Sequence, residues 1–232
     1  MQLSLFSDPV MPFIRDRLIP LYGFIEDEVR YDPTEQFVLS LISSRTRDEV
    51  SRAAFERLRA HFPRWEMLLT ADVAAVETLI AEVQDALVKA ERLIAALNRI
   101  RTQRGTLDLD FLVDWPVTAA WSWLQTLSGV GPKVAAATLN FSTLRMPILA
   151  VDRHLLREGK RLGLLPPKAG FLRGHRVLNG LAPNGWDNRD YYQQHWLMKS
   201  HGQNICRHGI PRCSECPLRD ICRYYRLANC SL

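Results

Sequence analysis

Apolar residues recur at intervals of three and four positions along most of the chain, the spacing of a helix that buries one face. Turn-forming residues separate these periodic segments, as at Asp32-Pro33, His61-Phe62-Pro63 and Gln103-Arg104-Gly105. No run alternates long enough to predict a strand. The pattern therefore predicts an all-α fold, with helices over residues 34–42, 49–61, 73–80, 86–102, 116–127 and 132–141.

The pattern is less regular beyond residue 141. The chain turns at Met146-Pro147, and an apolar run over 148–151 leads to Asp152, which stands in front of another predicted helix. Residues 165–186 are rich in proline and glycine and are predicted to form a looser stretch. A further helix is predicted to end near His201.

Composition sets the broad class of protein. The chain has 232 residues, of which 47% are hydrophobic, enough to bury the core of one or two compact domains. Its 30 basic and 25 acidic residues give a net charge of +5, which suits a polyanionic partner without identifying it. No run approaches the ~20 apolar residues of a membrane span, and the first residues do not have the pattern of a secretion signal. A soluble cytoplasmic protein is expected.

Cysteine is concentrated near the C-terminus. Cys206, Cys213, Cys216 and Cys222 are separated by six, two and five residues. In a reducing compartment such crowding indicates a metal or cluster site rather than disulfides. Zinc sites usually have two close cysteine pairs, and only one exists here, so the spacing favours an iron–sulfur cluster while leaving zinc open. Cys230 is left over as a tail thiol.

A short motif joins two of the predicted helices. Its sequence is Leu127-Ser128-Gly129-Val130-Gly131-Pro132-Lys133, and proline is favoured at the first helical position. The backbone N–H groups of Gly129, Val130 and Gly131 could hold a phosphate at the helix start, or the motif could be only a structural turn. Lys133 falls in the first helical turn, where the helix dipole disfavours a cation by ~0.3–1 kcal/mol.

Taken with Val151-Asp152-Arg153-His154 downstream, this motif resembles the endonuclease III family of DNA glycosylases, within the helix-hairpin-helix superfamily. The resemblance runs from about residue 36 to about residue 225 and includes the segment 41–48. It implies two helical lobes and a monomer. One lobe would be a six-helix, barrel-like domain over 34–146 with the hairpin at about 121–141, and the other an iron–sulfur domain built from 1–33 and 147–232.

The resemblance also implies roles for the site residues. The four cysteines match the family's [4Fe–4S] loop, so Cys206, Cys213, Cys216 and Cys222 are the expected ligands. Lys133 would attack the sugar carbon that carries the base, aided by a pKa lowered by the helix end and burial; a phosphate-contacting surface lysine is the alternative. Asp152 would assist catalysis, or would serve only to cap its helix.

Double-stranded DNA is the implied partner, and a flipped-out nucleotide leaves a gap in the duplex. Arg45 occupies the position expected to fill this gap, where the family often has glutamine, although an arginine could equally contact a phosphate. Asp85 lies near the expected wedge, where a bulky residue is common. Arg207, His208 and Arg212, between the first two cysteines, would contact DNA phosphates. The histidines at 175, 195 and 201 are expected to be ordinary polar residues.

The resemblance implies a DNA repair glycosylase with abasic-site lyase activity, acting on a damaged pyrimidine. Adenine-mismatch glycosylases usually have a catalytic glutamate where this chain has Ser40, which argues against that branch. Residues 105–109 and 161–163 resemble plant 5-methylcytosine glycosylases, so a modified cytosine remains an alternative. A non-catalytic iron–sulfur protein that binds DNA damage is another. The segment Gln2–Phe6 resembles a sliding-clamp docking peptide, or is an arm that packs on its own domain.

Overall fold

A computed structural model describes residues 9–26 and 30–229 of the chain. Within those residues every regular element is a helix, so the predicted all-α fold class is confirmed. No helix in the described ranges is both long and apolar enough to cross a membrane. The α-helices are α1 Val10–Tyr22, α2 Pro33–Ile42, α3 Asp48–His61, α4 Val73–Leu79, α5 Ala86–Arg104, α6 Val117–Leu124, α7 Pro132–Phe141, α8 Arg153–Leu162, α9 Phe171–Gly180, α10 Asn188–Asn204 and α11 Arg223–Asn229.

The chain divides into two compact units. One is continuous and covers residues 29–146, and the other combines residues 1–28 with 147–232. The continuous unit contains α2 to α7, with 3₁₀ turns at Trp65–Thr70 and Asp110–Asp114. Its core is built on α2, α5 and α7; α7 is buried along residues 134–140. This burial fixes the direction of α7 and therefore the position of the loop in front of it.

The discontinuous unit contains α1 and α8 to α11 and has its own apolar core. Met11, Ile14 and Leu18 of α1 pack with residues of α8 and α10, among them Leu155 and Leu197. Several polar side chains are also buried in this unit, and of these His201 Nδ1 lies 2.9 Å from Glu158 Oε2. The buried polar set is Glu158, His175, Gln194, His195 and His201.

Three helices of this unit were not predicted from the sequence: α1, α9 and the short C-terminal α11. α9 lies inside the stretch 165–186 that was expected to be loose, and α1 contains prolines at positions 12 and 20. Gly174 in α9 looks like a helix breaker, but a β-carbon there would lie 2.6 Å from Leu156 Cδ1. Close packing against α8 therefore requires this glycine, and the tertiary contact outweighs its poor helix propensity.

Candidate functional site

The motif between α6 and α7 forms a tight hairpin. Gly129 has a φ of +74°, in the left-handed region that glycine adopts without strain. Val130 anchors the turn, because its side chain is buried and its N–H donates to the carbonyl of Leu127 at 3.2 Å. Gly131 is the N-cap of α7 in an extended conformation, with a φ of −93° that any residue can adopt. Glycine is thus required by backbone geometry at position 129 and not at 131.

Lys133 is the second residue of α7 and is half-buried. The helix begins at Pro132 as predicted, and Trp121 of α6 donates its indole N–H to the Pro132 carbonyl at 3.0 Å. This bond ties the two helices together directly in front of the lysine. Lys133 therefore lies in the first turn, at the positive end of a helix whose start is held by its neighbour.

A second lysine of the same unit is buried close by. Lys89, on α5, is 5% exposed and its ammonium donates to the carbonyls of Ile42 at 2.8 Å and Ser44 at 2.5 Å. The pKa of Lys89 is lowered to about 8, mainly by burial and also by the charges of Lys133 and Arg45, while the charge of Asp85 opposes the shift. Sequence analysis missed Lys89, although it occupies the buried face of α5 at helical spacing with Leu93.

Arg45 and Asp85 meet on the surface of this unit. The guanidinium Nη1 of Arg45 lies 4.0 Å from Asp85 Oδ2, and both side chains are more than half exposed. Both residues have a φ of +59°, which is uncommon outside glycine. The turns that carry them are joined, because the Gln84 N–H donates to Thr46 Oγ1 at 3.2 Å. The two positions at which the chain departs from the family pattern are therefore neighbours.

Asp152 is the N-cap of α8, as predicted. Its Oδ1 accepts the N–H groups of His154 at 2.7 Å and Leu155 at 3.0 Å. Burial alone would raise the pKa of Asp152, yet the pKa lies below its ordinary value because His195, these N–H groups and Lys199 favour the carboxylate. His195 is itself buried, with Nδ1 2.7 Å from the carbonyl of Ala150. The hydrogen bonds of the N-cap and the neighbouring positive charges both keep the Asp152 carboxylate ionised.

The four cysteine thiols lie in the discontinuous unit, each partly buried. Cys206 Sγ accepts a hydrogen bond from Arg161 at 3.2 Å, and Cys216 Sγ lies 3.3 Å from His201 Nε2. Burial raises the pKa of Cys206 to about 11 and also raises that of Cys213 and Cys222. Thiolates here therefore need positive charge nearby, such as a bound cation.

These sulfurs are not arranged around a single ion. Across residues 9–26 and 30–229, no group of three or more His, Cys, Asp or Glu side chains is placed to hold one metal ion. Burial alone would lower the pKa of His201, but its hydrogen bonds to Cys216 and Glu158 raise it to about 9. A guanidinium and an imidazolium thus face two of the four sulfurs, and this donor set fits an anionic, thiolate-bound group.

The loop between Cys206 and Cys213 is held against α8 by two arginines. Arg161 donates to the carbonyls of Arg207 at 2.6 Å and His208 at 3.2 Å, and Arg157 donates to the carbonyl of Cys206 at 2.9 Å. The side chains of the loop point to solvent: Arg207, His208, Ile210 and Arg212 are all exposed. α8 therefore carries Asp152 at its start and supports a basic loop farther along.

Comparison with known proteins agrees with this architecture. Residues 38–171 match the family described as HhH-GPD superfamily base excision DNA repair protein. The chain is 32% identical to endonuclease III-like protein 1 of Gallus gallus over 189 residues, which are 81% of this chain and 63% of that protein. It is 31% identical to protein ROS1C of Oryza sativa subsp. japonica over 180 residues, 72% of this chain and 10% of that protein.

A solved structure shares the fold. The chain superposes on a trapped covalent intermediate of endonuclease III with DNA, with a TM-score of 0.77 and 20% identity, covering 97% of this chain and 100% of that one. The two sequence relatives are longer proteins, of which this chain spans 10% and 63%.

Proposed function

Because the chain belongs to the HhH-GPD superfamily of base excision DNA repair proteins, we propose that it is a DNA glycosylase with abasic-site lyase activity. The family match and the relatedness to endonuclease III-like protein 1 confirm the resemblance that the sequence indicated. The observation that carries the proposed activity is the position of Lys133, directly behind the hairpin and within the first turn of α7.

The hairpin anchors the DNA strand in this proposal. The start of α7 and the exposed backbone around Gly129 present N–H dipoles to a phosphate without using a side chain. Val130 keeps the turn in shape, since its own N–H is engaged with Leu127. Anchoring the phosphate brings the sugar of the flipped nucleotide to the lysine.

Lys133 then acts as the nucleophile. An attacking amine must be neutral, and the positive end of α7 disfavours the ammonium form. The Lys133 Nζ forms a bond to the anomeric carbon, and the bond to the base breaks with its electron pair leaving on the base, which takes up a proton. In ring opening the C1′–O4′ bond breaks, O4′ takes up a proton and the nitrogen gives one up, which leaves a Schiff base. In β-elimination a C2′ proton passes to water, a C2′–C3′ double bond forms, and the C3′–O3′ bond breaks with its electron pair leaving on the 3′ phosphate. A water molecule finally releases the lysine.

Asp152 is the charged partner in this chemistry. Its lowered pKa keeps the carboxylate ionised, so that its negative charge stabilises positive charge that develops on the sugar and assists the lysine as the amine loses its proton. Oδ1 of this ionised carboxylate caps α8, so the structural and catalytic roles of Asp152 are compatible. His195 and Lys199 also favour the charged state of this carboxylate.

Cys206, Cys213, Cys216 and Cys222 bind a [4Fe–4S] cluster in this proposal. Their uneven spacing favours a cluster over zinc, and Arg161 and His201 supply positive charge to two of the sulfurs. The bound cluster would serve as a covalent staple for the loop. Arg207, His208 and Arg212, exposed on that loop, contact DNA phosphates. Measured iron and sulfide with a brown absorbance at about 400 nm would support the cluster, whereas bound zinc alone would refute it.

A damaged pyrimidine is the default substrate. Adenine-mismatch chemistry is disfavoured, because that branch usually has a catalytic glutamate where this chain has Ser40, a buried serine whose hydroxyl accepts a hydrogen bond from Gln36 at 2.8 Å. The modified-cytosine alternative rests on residues 105–109 and 161–163, but Gly105 and Gly163 are helix C-caps and Arg161 supports the cysteine loop. Those similarities therefore concern structure and do not select a base.

The activity is tested with duplexes that carry thymine glycol, 5-methylcytosine, uracil or an abasic site, incubated with the protein and borohydride. Reduction of the Schiff base leaves protein and DNA covalently joined. Covalent adducts are expected on the duplex with the damaged pyrimidine, thymine glycol, and on the abasic duplex. Binding without an adduct on any duplex would instead favour the non-catalytic damage-binding protein.

Docking on a bacterial sliding clamp is a separate proposal. The motif Gln2–Phe6 lies outside the residues that the structure describes, so its sequence alone supports it. Deleting residues 2–6 should abolish clamp binding in a pull-down while leaving borohydride trapping as strong as in the full chain. Unchanged clamp binding would refute the docking role.

A further inference from the structure

On the premise of the proposed activity, we infer that His175 and Asn179 are positioning residues for base excision, because they bind the main chain that leads to Asp152 and so place its carboxylate. The segment that they bind is residues 149–151, all three of which are fully buried. It ends at Asp152, the N-cap of α8. The place of the carboxylate therefore depends on what holds these three residues.

The buried segment lacks the partners that a helix or a sheet would provide. Buried N–H and C=O groups are almost always hydrogen-bonded, yet residues 148–152 lie outside every helix and strand. Side chains of α9 supply the partners instead. Leu149 donates its N–H to Asn179 Oδ1 at 2.8 Å, and its carbonyl accepts from Asn179 Nδ2 at 3.2 Å. Val151 donates its N–H to His175 Nε2 at 3.1 Å.

The two side chains are presented together by α9. His175 and Asn179 are one helical turn apart and therefore lie on the same face of the helix. Asn179 Nδ2 also donates to the carbonyl of His175 at 2.9 Å. α9 comes close to the segment at Gly174, where a β-carbon would lie 2.6 Å from Leu156 Cδ1 and 3.8 Å from Val151 Cγ1. This close approach brings His175 within hydrogen-bond distance of Val151.

A third contact to the segment comes from α10. His195 Nδ1 lies 2.7 Å from the carbonyl of Ala150 and must carry a proton, because a carbonyl oxygen can only accept. His175 Nε2 must lack a proton, because the N–H of Val151 donates to it. Both histidines are buried. The main chain in front of Asp152 is thus held from two helices by side chains whose donors and acceptors match it.

Asp152 is fixed from both chain directions as a result. The residues before it are bound by α9 and α10, and its own Oδ1 accepts the N–H groups of His154 and Leu155 at the start of α8. Loss of the Val151 contact would leave a buried N–H without an acceptor, so the main chain would shift to find one. A displacement of about 1 Å at a reacting centre can slow a reaction by about 10²-fold.

The test compares His175→Leu with His175→Gln. Leucine has no acceptor, whereas Oε1 of glutamine is as many bonds from the backbone as Nε2 of histidine and can accept the N–H of Val151. Asn179→Leu, which removes both contacts to Leu149, repeats the test at a second position. His61→Leu, at an exposed histidine of α3, is the matched control.

Three quantities are measured for each variant. Single-turnover excision is followed on the lesion duplex that wild type processes fastest. The dissociation constant is measured on a duplex with an uncleavable tetrahydrofuran abasic site, and urea denaturation verifies that the variant is folded under the assay conditions. Excision and affinity together separate a misplaced carboxylate from a general loss of DNA binding.

We expect excision by His175→Leu to be about 10²-fold slower than by wild type, with an unchanged dissociation constant. Asn179→Leu should be slowed in the same direction. His175→Gln should recover most of the lost rate, and His61→Leu should match wild type. A wild-type rate in His175→Leu, or an equal loss in His175→Gln, would overturn the inference.

A role that acts through Asp152 should vanish once the charge of Asp152 is removed. In the Asp152→Asn background, which keeps the N-cap, His175→Leu should therefore cause no further slowing. Full addition of the two losses would overturn the inference, because His175 would then act independently of Asp152. Failure of wild type to excise any of the lesions refutes the proposed activity itself, whereas normal wild-type excision that His175→Leu leaves unchanged refutes only the positioning role.

Discussion

The backbone of Gly129 lies directly against the side chain of Arg92, and a β-carbon on Gly129 would lie 2.7 Å from Arg92 Cδ and 2.9 Å from Arg92 Cβ. Arg92 is an exposed residue of α5, so its aliphatic stem forms a floor beneath the hairpin. Hairpin geometry thus depends on a glycine for two reasons, the positive φ of +74° and this contact.

Gly129→Ala should therefore destabilise the protein and weaken DNA binding. The left-handed conformation and the clash predict a loss of about 1–3 kcal/mol in the free energy of unfolding, measured by urea denaturation. Gly131→Ala is the control, because a β-carbon there meets nothing within 4 Å and the φ of −93° suits alanine. Equal stability of the two variants would contradict the structural account of the hairpin.

The two roles of Asp152 can be separated by substitution. Asn is as good an N-cap as Asp, so Asp152→Asn should keep stability nearly unchanged while base excision slows by about 10²–10⁴-fold, because the charge is lost. Asp152→Ala should slow excision similarly and also cost about 1 kcal/mol of unfolding free energy. Single-turnover excision rates and urea denaturation measure the two effects. Full activity in Asp152→Asn would leave Asp152 only as a cap.

The lowered pKa of Lys89 predicts that the free energy of unfolding depends on pH. Its pKa is about 8 in the folded protein against 10.5 in the unfolded chain, so between these values the unfolded state binds the extra proton. Stability from this group should therefore rise as pH increases from about 8 to about 10. Lys89→Met lacks the titration. The difference in unfolding free energy, wild type minus variant, should increase across that range; a constant difference would contradict the buried site.

Arg161 should keep the loop between Cys206 and Cys213 in a single ordered conformation. It contacts Cys206 Sγ and the carbonyls of Arg207 and His208, so Arg161→Ala removes several hydrogen bonds at once. We expect lower iron and sulfide content per chain and faster proteolysis between residues 206 and 213. Arg173→Ala, an exposed arginine on α9, is the control and should match wild type. Normal loading of the Arg161 variant would show that the cysteines alone organise the loop.

Several features of the fold and site could be predicted because local chemistry determines them. Pro132 at the start of α7 and Asp152 at the start of α8 follow positional preferences that act within a single turn. The helical periodicity of residues 34–141 likewise predicted most helices to within a few residues. α6 ends earlier than predicted, at Leu124, because residues 125–131 belong to the turn.

Other features depend on contacts between distant segments. Lys89 donates to backbone carbonyls more than 40 residues away. Every residue has a backbone carbonyl, so the sequence does not indicate which ones a lysine contacts. Arg161 likewise contacts carbonyls of residues 207 and 208. The neighbouring turns of Arg45 and Asp85 meet only in the folded unit, and neither residue is the glycine that would have predicted a positive φ. The contacts of these residues could be identified only from the structure.

Borohydride trapping on an abasic duplex, with identification of the modified lysine by peptide mass, tests the central claim most directly. Lys89 has a lowered pKa, but it is 5% exposed and its ammonium is bound to two carbonyls, so it should not reach the sugar. The account predicts a wild-type adduct at Lys133 and no adduct in Lys133→Ala, which should still bind the duplex. An adduct on another lysine, or equal trapping by Lys133→Ala, would contradict it.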